Sequence, residues 1–297
     1  MVALRKHVLV WVLLASGWSA GEKPKVNPKA EAQRAQVEAV LRQPRRSYRQ
    51  DPQAEHADDL KPLGKAAVPL LATFLEDRAL GYQAALTMMA IDEDQALPLL
   101  FASIPRGDVN TSRRAFERAT RRLEAGQPGP FKAEMRAAAL RCLEADPASP
   151  SEEMLQALGV SGDQRDLPLL EKFTAFKHGV GAHQMQIRHA ALASLVRLGS
   201  APHLQLVIGE LEAPVPNPMT LETGLSLHDL LGRVPFASNP RLLPLLCKHL
   251  SDPSLRMGDT GVSTAQTAAD SLARILQKKP SGGSIPEAKG LCASDVR

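Results

Sequence analysis

The sequence predicts an all-α protein, an α-solenoid of about five to six antiparallel helix pairs. Three observations carry that expectation. Helix formers dominate: the 297 residues are 44% apolar but only 4% aromatic, with Leu and Ala far outnumbering β-branched residues. A sandwich or barrel would lack its usual material. An apolar cluster containing Pro-Leu-Leu recurs along the chain, and Ala-rich amphipathic segments follow several of its copies. The 23 Pro and 20 Gly keep the helices short. Charged residues, at 23%, sit near the usual share, which excludes wholesale disorder and coiled-coil composition.

The chain divides into four parts. Residues 1–20 have the order of a secretory signal peptide: basic Arg5, Lys6 and His7, an apolar run from Val8 to Ala15, then small Gly17, Ser19 and Ala20. Cleavage after Ser19 or Gly21 suits the small-residue rule; cleavage after Ala20 would put bulky Trp18 at −3. The run falls short of the ~20 apolar residues that span a bilayer, and no later segment reaches that length. The expected location is periplasmic or extracellular, with no transmembrane segment once the signal is removed. Residues 21–59 form an N-terminal segment with a capping helix, 60–279 the repeats, and 280–297 a flexible tail carrying Ser281-Gly282-Gly283-Ser284. Removing Arg5 and Lys6 leaves 34 basic and 32 acidic residues, too even a balance for a nucleic-acid binder.

The repeat is read from Val68-Pro69-Leu70-Leu71, Leu97-Pro98-Leu99-Leu100, Leu167-Pro168-Leu169-Leu170 and Leu243-Pro244-Leu245-Leu246, with His203-Leu204-Gln205-Leu206-Val207 as a degenerate copy. The steps between these prolines, with Gln205 standing in for one, are 29, 70, 37 and 39, the 70 being two units. Second helices are expected at Gln83-Ala84-Ala85-Leu86, Arg188-His189-Ala190-Ala191-Leu192 and Gln266-Thr267-Ala268-Ala269. Met135-Arg136-Ala137-Ala138-Ala139-Leu140 supplies a similar segment in the unmarked unit. Asp166 can cap a helix whose first turn holds Pro168. Ser149-Pro150-Ser151-Glu152 reads as a capping box with Pro at the first helical position. Gly159 and Gly199 read as left-handed C-terminal caps.

These residues resemble HEAT repeats, particularly the HEAT-like repeats of phycobilisome lyases. The likeness lies in the Pro-Leu-Leu first helix, an Asp after it (Asp77, Asp252), and an Arg or polar residue opening an Ala-Ala-Leu second helix (Arg188, Gln83). It covers roughly residues 60–278 and departs from the pattern at 126–162 and 257–265. It implies a curved stack of helix pairs used mostly as a binding scaffold, and a pairing of Arg188 with an Asp of the Asp77 or Asp252 kind.

No phosphate loop, dinucleotide fingerprint, nucleophile elbow or His-Glu-x-x-His pair is present, so no catalytic, cofactor or metal residue is assigned. His178, His183 and His189 are spaced by 5 and 6 residues, which does not put them on one helical face; a polar loop running into a helix is expected. Asp259-Thr260-Gly261 lacks the apolar strand that its protease counterpart needs, and Arg106-Gly107-Asp108 is too short to carry weight. The strongest surface feature is cationic. Arg113, Arg114, Arg118, Arg121 and Arg122 crowd one helix whose buried stripe is Phe116, Ala119 and Leu123. Arg42, Arg45, Arg46 and Arg49 form a second run. A solvated polar face is the ordinary reading of such arginines. Their planar guanidinium forks also suit carboxylate or phosphate groups on a partner, which makes Arg114, Arg118 and Arg121 the candidate partner-binding residues. Cys142 and Cys247 are expected not to bridge one another, being 105 residues and about three repeats apart, and read as buried small apolar residues, whereas Cys292 on the tail is expected free to react or to pair between molecules.

The resulting expectation is an exported, non-enzymatic scaffold that binds another protein or an anionic envelope component and needs no cofactor. A lyase-like or other enzyme built on the same solenoid, and a purely structural envelope spacer, are the alternatives.

Overall fold

Leu- and Ala-rich segments separated by prolines and side-chain caps fold into helix after helix. The computed structural model describes residues 28–43, 55–104, 109–127, 129–175, 181–213, 221–251, 263–275 and 285–295. Among them are fifteen α-helices, three short 3₁₀ segments and no strand. The helices are α1 (Pro28–Leu41), α2 (Glu55–Asp59), α3 (Ala67–Ala72), α4 (Gly81–Ile91), α5 (Glu93–Ser103), α6 (Val109–Glu124), α7 (Lys132–Ala145) and α8 (Glu152–Ser161). They continue with α9 (Leu167–Glu171), α10 (Gly181–Arg197), α11 (Ala201–Glu212), α12 (Leu221–Ala237), α13 (Leu243–His249), α14 (Thr264–Ile275) and α15 (Ile285–Asp295). None of the described helices is long and apolar enough to cross a membrane. Residues 1–20, His178, Arg45, Arg46, Arg49, Arg106-Gly107-Asp108, Asp252 and Asp259-Thr260-Gly261 lie outside the described residues.

The proline clusters fall where expected, at or near helix starts. Pro168 and Pro244 occupy the first turns of α9 and α13, where a missing N–H breaks no helical bond. Pro98 instead lies inside α5, whose start is set by Asp92: its Oδ1 accepts from the Gln95 N–H at 3.1 Å. Gly199 ends α10 with φ +89°; its N–H reaches the Val196 carbonyl and the Ser200 N–H the Leu195 carbonyl, the paired bonds of a left-handed helix stop.

Three local expectations are corrected. The cap of α8 is Ser151, which accepts from the Met154 N–H at 3.3 Å, and not Ser149; Pro150 therefore lies before the helix. Asp166 does not cap α9, because a 3₁₀ turn capped by Asp163 runs straight into that helix and the Asp166 carboxylate is turned back to the Asp163 N–H at 3.0 Å. Gly159 is no C-cap. It lies within α8, and a Cβ there would meet Ser194 Oγ at 2.8 Å and Phe236 Cζ at 2.9 Å, so its role is to let α10 and α12 close on α8.

Packing follows chain order. Helices α4, α6, α8, α10, α12 and α14 form one row in which each touches the next. Each also packs on the helix just before it, giving the neighbours α3–α4, α5–α6, α7–α8, α9–α10, α11–α12 and α13–α14. The Ala-rich segment at 135–140 is therefore placed differently from its look-alikes. It lies in α7, which packs against α5 on the other side of the row, and α8 is the row member of that pair.

The core has two parts that meet on α10. Ile187, Ala190, Ala191 and Leu195 join the cluster toward the N-terminus, while Leu192, Ala193 and Val196 join the other. A helix buried on opposite faces needs small residues, and α10 supplies them. In the first cluster Phe101 packs against Phe116 and Phe131, with ring centroids 5.2 Å and 6.4 Å away. Side chains also bind carbonyls of a helix about forty residues earlier. Ser194 Oγ donates to the Leu155 carbonyl and Ser271 Oγ to the Leu231 carbonyl, each at 2.9 Å. The second bond fills a vacancy, because Pro235 inside α12 has no N–H for Leu231.

The tail expected at 280–297 is helical over 285–295, and Cys292 is not free. Helix α15 packs on α13 and α14, and Cys292 is joined to Cys247 with Cα atoms 5.8 Å apart. Cys142 and Cys247 are unbridged as expected; Cys142 is a half-buried thiol whose pKa burial pushes up.

Two stability outcomes follow from this packing. Cys292→Ser opens a loop of 45 residues and should lower stability by about 2–4 kcal/mol, read as the shift in urea midpoint with and without reductant. Gly159→Ala should cost about 1–3 kcal/mol by overpacking. Gly209→Ala in α11, where a Cβ would meet nothing within 4 Å, should raise stability by about 0.5–1 kcal/mol in the same melts.

Candidate functional site

A groove of about 400 Å³ opens on the row of helices. Helix α6 contributes Glu117, Thr120, Arg121 and Glu124; α8 contributes Glu153 and Gln156. His228, Asp229, Gly232, Arg233 and Phe236 come from α12, and Thr267 and Arg274 from α14. Helices α6 and α14 are four steps apart in the row, yet both line this one space.

The arginines of α6 are all engaged. Arg113 Nε donates to Glu153 on α8 at 2.6 Å, and Arg114 and Arg121 converge on Glu117 within their own helix. Arg118 reaches Glu93 on α5 at 3.3 Å, and Arg122 binds Asp94 at 2.8 Å while lying over the Phe131 ring. The bonds to Glu153 and Glu117 hold the Arg113 and Arg114 guanidiniums above their ordinary pKa. Of the candidate residues Arg114, Arg118 and Arg121, only Arg121 lines the groove. The cationic stripe read from the sequence is thus a set of ion pairs. Arg42 likewise pairs with Glu38 on α1.

Arg188 also differs from expectation. Arg188 pairs with Glu210 on the following helix, α11, its Nη1 donating at 3.0 Å, and not with an Asp of the Asp77 kind. Asp77 instead accepts from the N–H groups of Ala79 and Leu80 in its own turn. Arg136 forms a two-pronged bridge to Asp166 at 2.8 and 2.6 Å, tying α7 to the start of α9.

A partly buried polar chain, to which the lining residues Asp229 and Arg233 belong, runs along the groove. Glu152 Oε2 accepts from Arg233 Nη2 at 2.6 Å, and Arg233 forks onto Asp229 at 2.8 and 3.0 Å. Asp229 Oδ2 also lies 2.9 Å from His189 Nδ1, and His189 is fully buried on α10. Burial pushes the Asp229 carboxyl up, but the bonds from His189 and Arg233 outweigh it and hold the group below its ordinary value. His189 therefore serves a structural network, and His183 lies two turns before it on the same helix. Among the described residues no group of three His, Cys, Asp or Glu could hold a metal.

At the groove surface His228 Nε2 and Thr267 Oγ1 share a hydrogen bond of 2.5 Å, and burial lowers the His228 pKa, favouring the neutral ring. Burial has the opposite consequence for Glu124, raising its pKa. Thr120, Asp229, Arg233 and Arg274 were not singled out in the sequence, and Glu124 was read only as an acid among the α6 arginines. The spacing of Thr120 with Glu124, and of Asp229 with Arg233, is the i,i+4 signal that could have pointed to them. No family model matches the chain, and neither does any curated protein or solved structure.

The network gives a pH outcome. A folded carboxyl held below the ordinary 3.8 stabilises the fold above that pH, and the contribution is lost as pH falls through the lower folded value. Asp229→Asn should melt well below the wild type at about pH 6, and the gap should narrow as the pH falls below the ordinary carboxylate range in paired thermal melts.

Proposed function

We propose that the chain is a HEAT-like solenoid of six helix pairs, α3–α4 through α13–α14, working as an exported non-enzymatic scaffold. Its groove holds a segment of a partner protein. The observation that carries this reading is that α6 and α14, four steps apart in the row, line a single groove with α8 and α12. In a stack of helix pairs the inner surface gathers side chains from successive units, which is where such folds hold extended partners.

The charge pattern favours a polypeptide over an anionic envelope surface. The α6 arginines are matched by Glu93, Asp94, Glu117 and Glu153, so their fields close on neighbouring carboxylates at short range. A groove with acids and bases side by side suits a segment bearing mixed polar groups. The Cys247–Cys292 bond supports export, since disulfides persist in oxidising compartments. The leader-like residues 1–20 point the same way.

Site-specific photo-crosslinking tests this. A benzophenone side chain at Gln156, inside the groove, should join a discrete partner polypeptide in cells of the native host. The same group at Leu206, an exposed position on α11 outside the groove, should not. Equal adducts from both positions, or adducts from Leu206 alone, would move the interface off the groove.

A further inference from the structure

This inference rests on the groove reading and names a group that the groove takes. The electrostatics of the groove turn on how its carboxylates are shared out. Glu153 is paired with Arg113, and Asp229 with Arg233. Glu117 serves two cations at once, Arg114 and Arg121. Glu124 has Arg197, whose Nη1 lies 3.8 Å away. Arg274 on α14 is left over: it lines the groove, is exposed, and has no ion pair among the described residues.

Three guanidiniums act on the Glu124 carboxyl: Arg197 from α10, Arg274 from α14 and Arg121 from α6. One carboxyl cannot balance three cations, so this end of the groove is positive. Arg197 is turned inward, its Nη1 donating to the Phe236 carbonyl at 2.7 Å. Arg121 and Arg274 are the two that an incoming group can reach. The Arg121 side chain is 72% exposed, and only its Nη2 is engaged, on Glu117. Arg274 engages none of its donors among the described residues.

A guanidinium is a fork of N–H donors with no acceptor, and its strongest bonds go to anionic oxygens. An incoming anion meets two acids here. Glu117 is already matched by two arginines, and Glu124 faces Arg197 in a buried setting that raises its pKa and so disfavours its charge. A carboxylate brings one negative charge to that setting. A phosphate brings nearly two and meets the same acids, so the carboxylate is the better fit. A segment laid along four steps of the row passes both arginines with its side chains. We infer that Arg121 and Arg274 form a subsite for a carboxylate, the Asp or Glu side chain of the segment held in the groove.

The probe is a capped, labelled peptide of repeated Gly-Glu-Gly units, read by fluorescence anisotropy against the full chain. Its controls carry Gln, Lys or phosphoserine in place of Glu, and the Glu peptide should bind most tightly. Arg274→Ala should weaken that binding roughly ten-fold, and Arg121→Ala about three-fold because Arg121 is shared with Glu117. Arg274→Lys keeps the charge but loses the fork, and should recover only part of the loss. Glu124→Gln should tighten binding about three-fold, since it removes the facing like charge. Both arginines are exposed, so their variants should melt with the wild type. Equal or tighter binding of a control peptide, no binding of any peptide, full Glu-peptide affinity in Arg274→Ala, or weaker binding in Glu124→Gln would overturn the subsite. An uncapped Gly-only peptide that binds as tightly would assign the site to a chain end and overturn the side-chain assignment. If the Gln156 crosslink forms while Glu-peptide affinity ignores Arg274, the subsite alone fails. If the Glu peptide binds through Arg274 but no Gln156 crosslink forms, the scaffold reading fails and the subsite stands.

Discussion

Close approach of consecutive row helices is the constraint on which the rest of the structure depends. Helix axes pack 8–10 Å apart according to the side chains between them, so small residues at the crossings set the near limit. Ala84 and Ala85 on α4, Ala190 and Ala191 on α10, and Ala268 and Ala269 on α14 are all fully buried. Gly159 performs the same task on α8, where even a methyl group would strike Ser194 and Phe236. Helix α10 pays most for this, since it is enclosed on both sides. Its polar side chains must find partners inside: Ser194 on the Leu155 carbonyl, Arg197 on the Phe236 carbonyl, His189 on Asp229. Those bonds in turn hold α12 against α10 and so fix the floor of the groove.

The charges follow from the same closeness. Facing helices bring Arg113 to Glu153, Arg118 to Glu93 and Arg233 to Glu152, each pair crossing from one helix to another. Exposed pairs of this kind contribute only about 0–1 kcal/mol, so the Arg113 and Arg118 pairs set the electrostatic surface more than the stability. Arg233 is another matter, because it is almost wholly buried and removal of Asp229 would leave its charge uncompensated. The groove is thus built over a network that the fold cannot easily lose. On its α6 wall the buried Thr120 hydroxyl has no hydrogen-bond partner, while Glu124 lies 3.8 Å from Arg197.

Helical class and the order of the helices were legible because they depend on local chemistry. Proline in a first turn, paired alanines on one stripe and Gly199 after α10 each state a backbone preference within a few residues. What was not legible depends on distance through space. The cap of α8 lies at Ser151 and not Ser149, a choice between two serines that only the docked helix decides. Gly159 looks like a helix stop in one dimension and is a crossing point in three. Cys292 follows a Gly-Ser stretch that reads as a tail, yet α15 turns back on α13. The α6 arginines show a cationic stripe in the sequence because their carboxylate partners at Glu93, Asp94 and Glu153 come from other helices.

The curvature of the row is the central claim, and one distance tests it most directly. Spin labels replacing Arg121 on α6 and Arg274 on α14, with Cys142 changed to Ala and the disulfide kept, report the span across the groove. A row that curves around the groove predicts a label-to-label distance below about 25 Å, whereas four straight helix steps would separate the two helices by about 32–40 Å. A single narrow distribution in the short range is the predicted result. A distribution centred at the long value would contradict the curved stack and, with it, the groove.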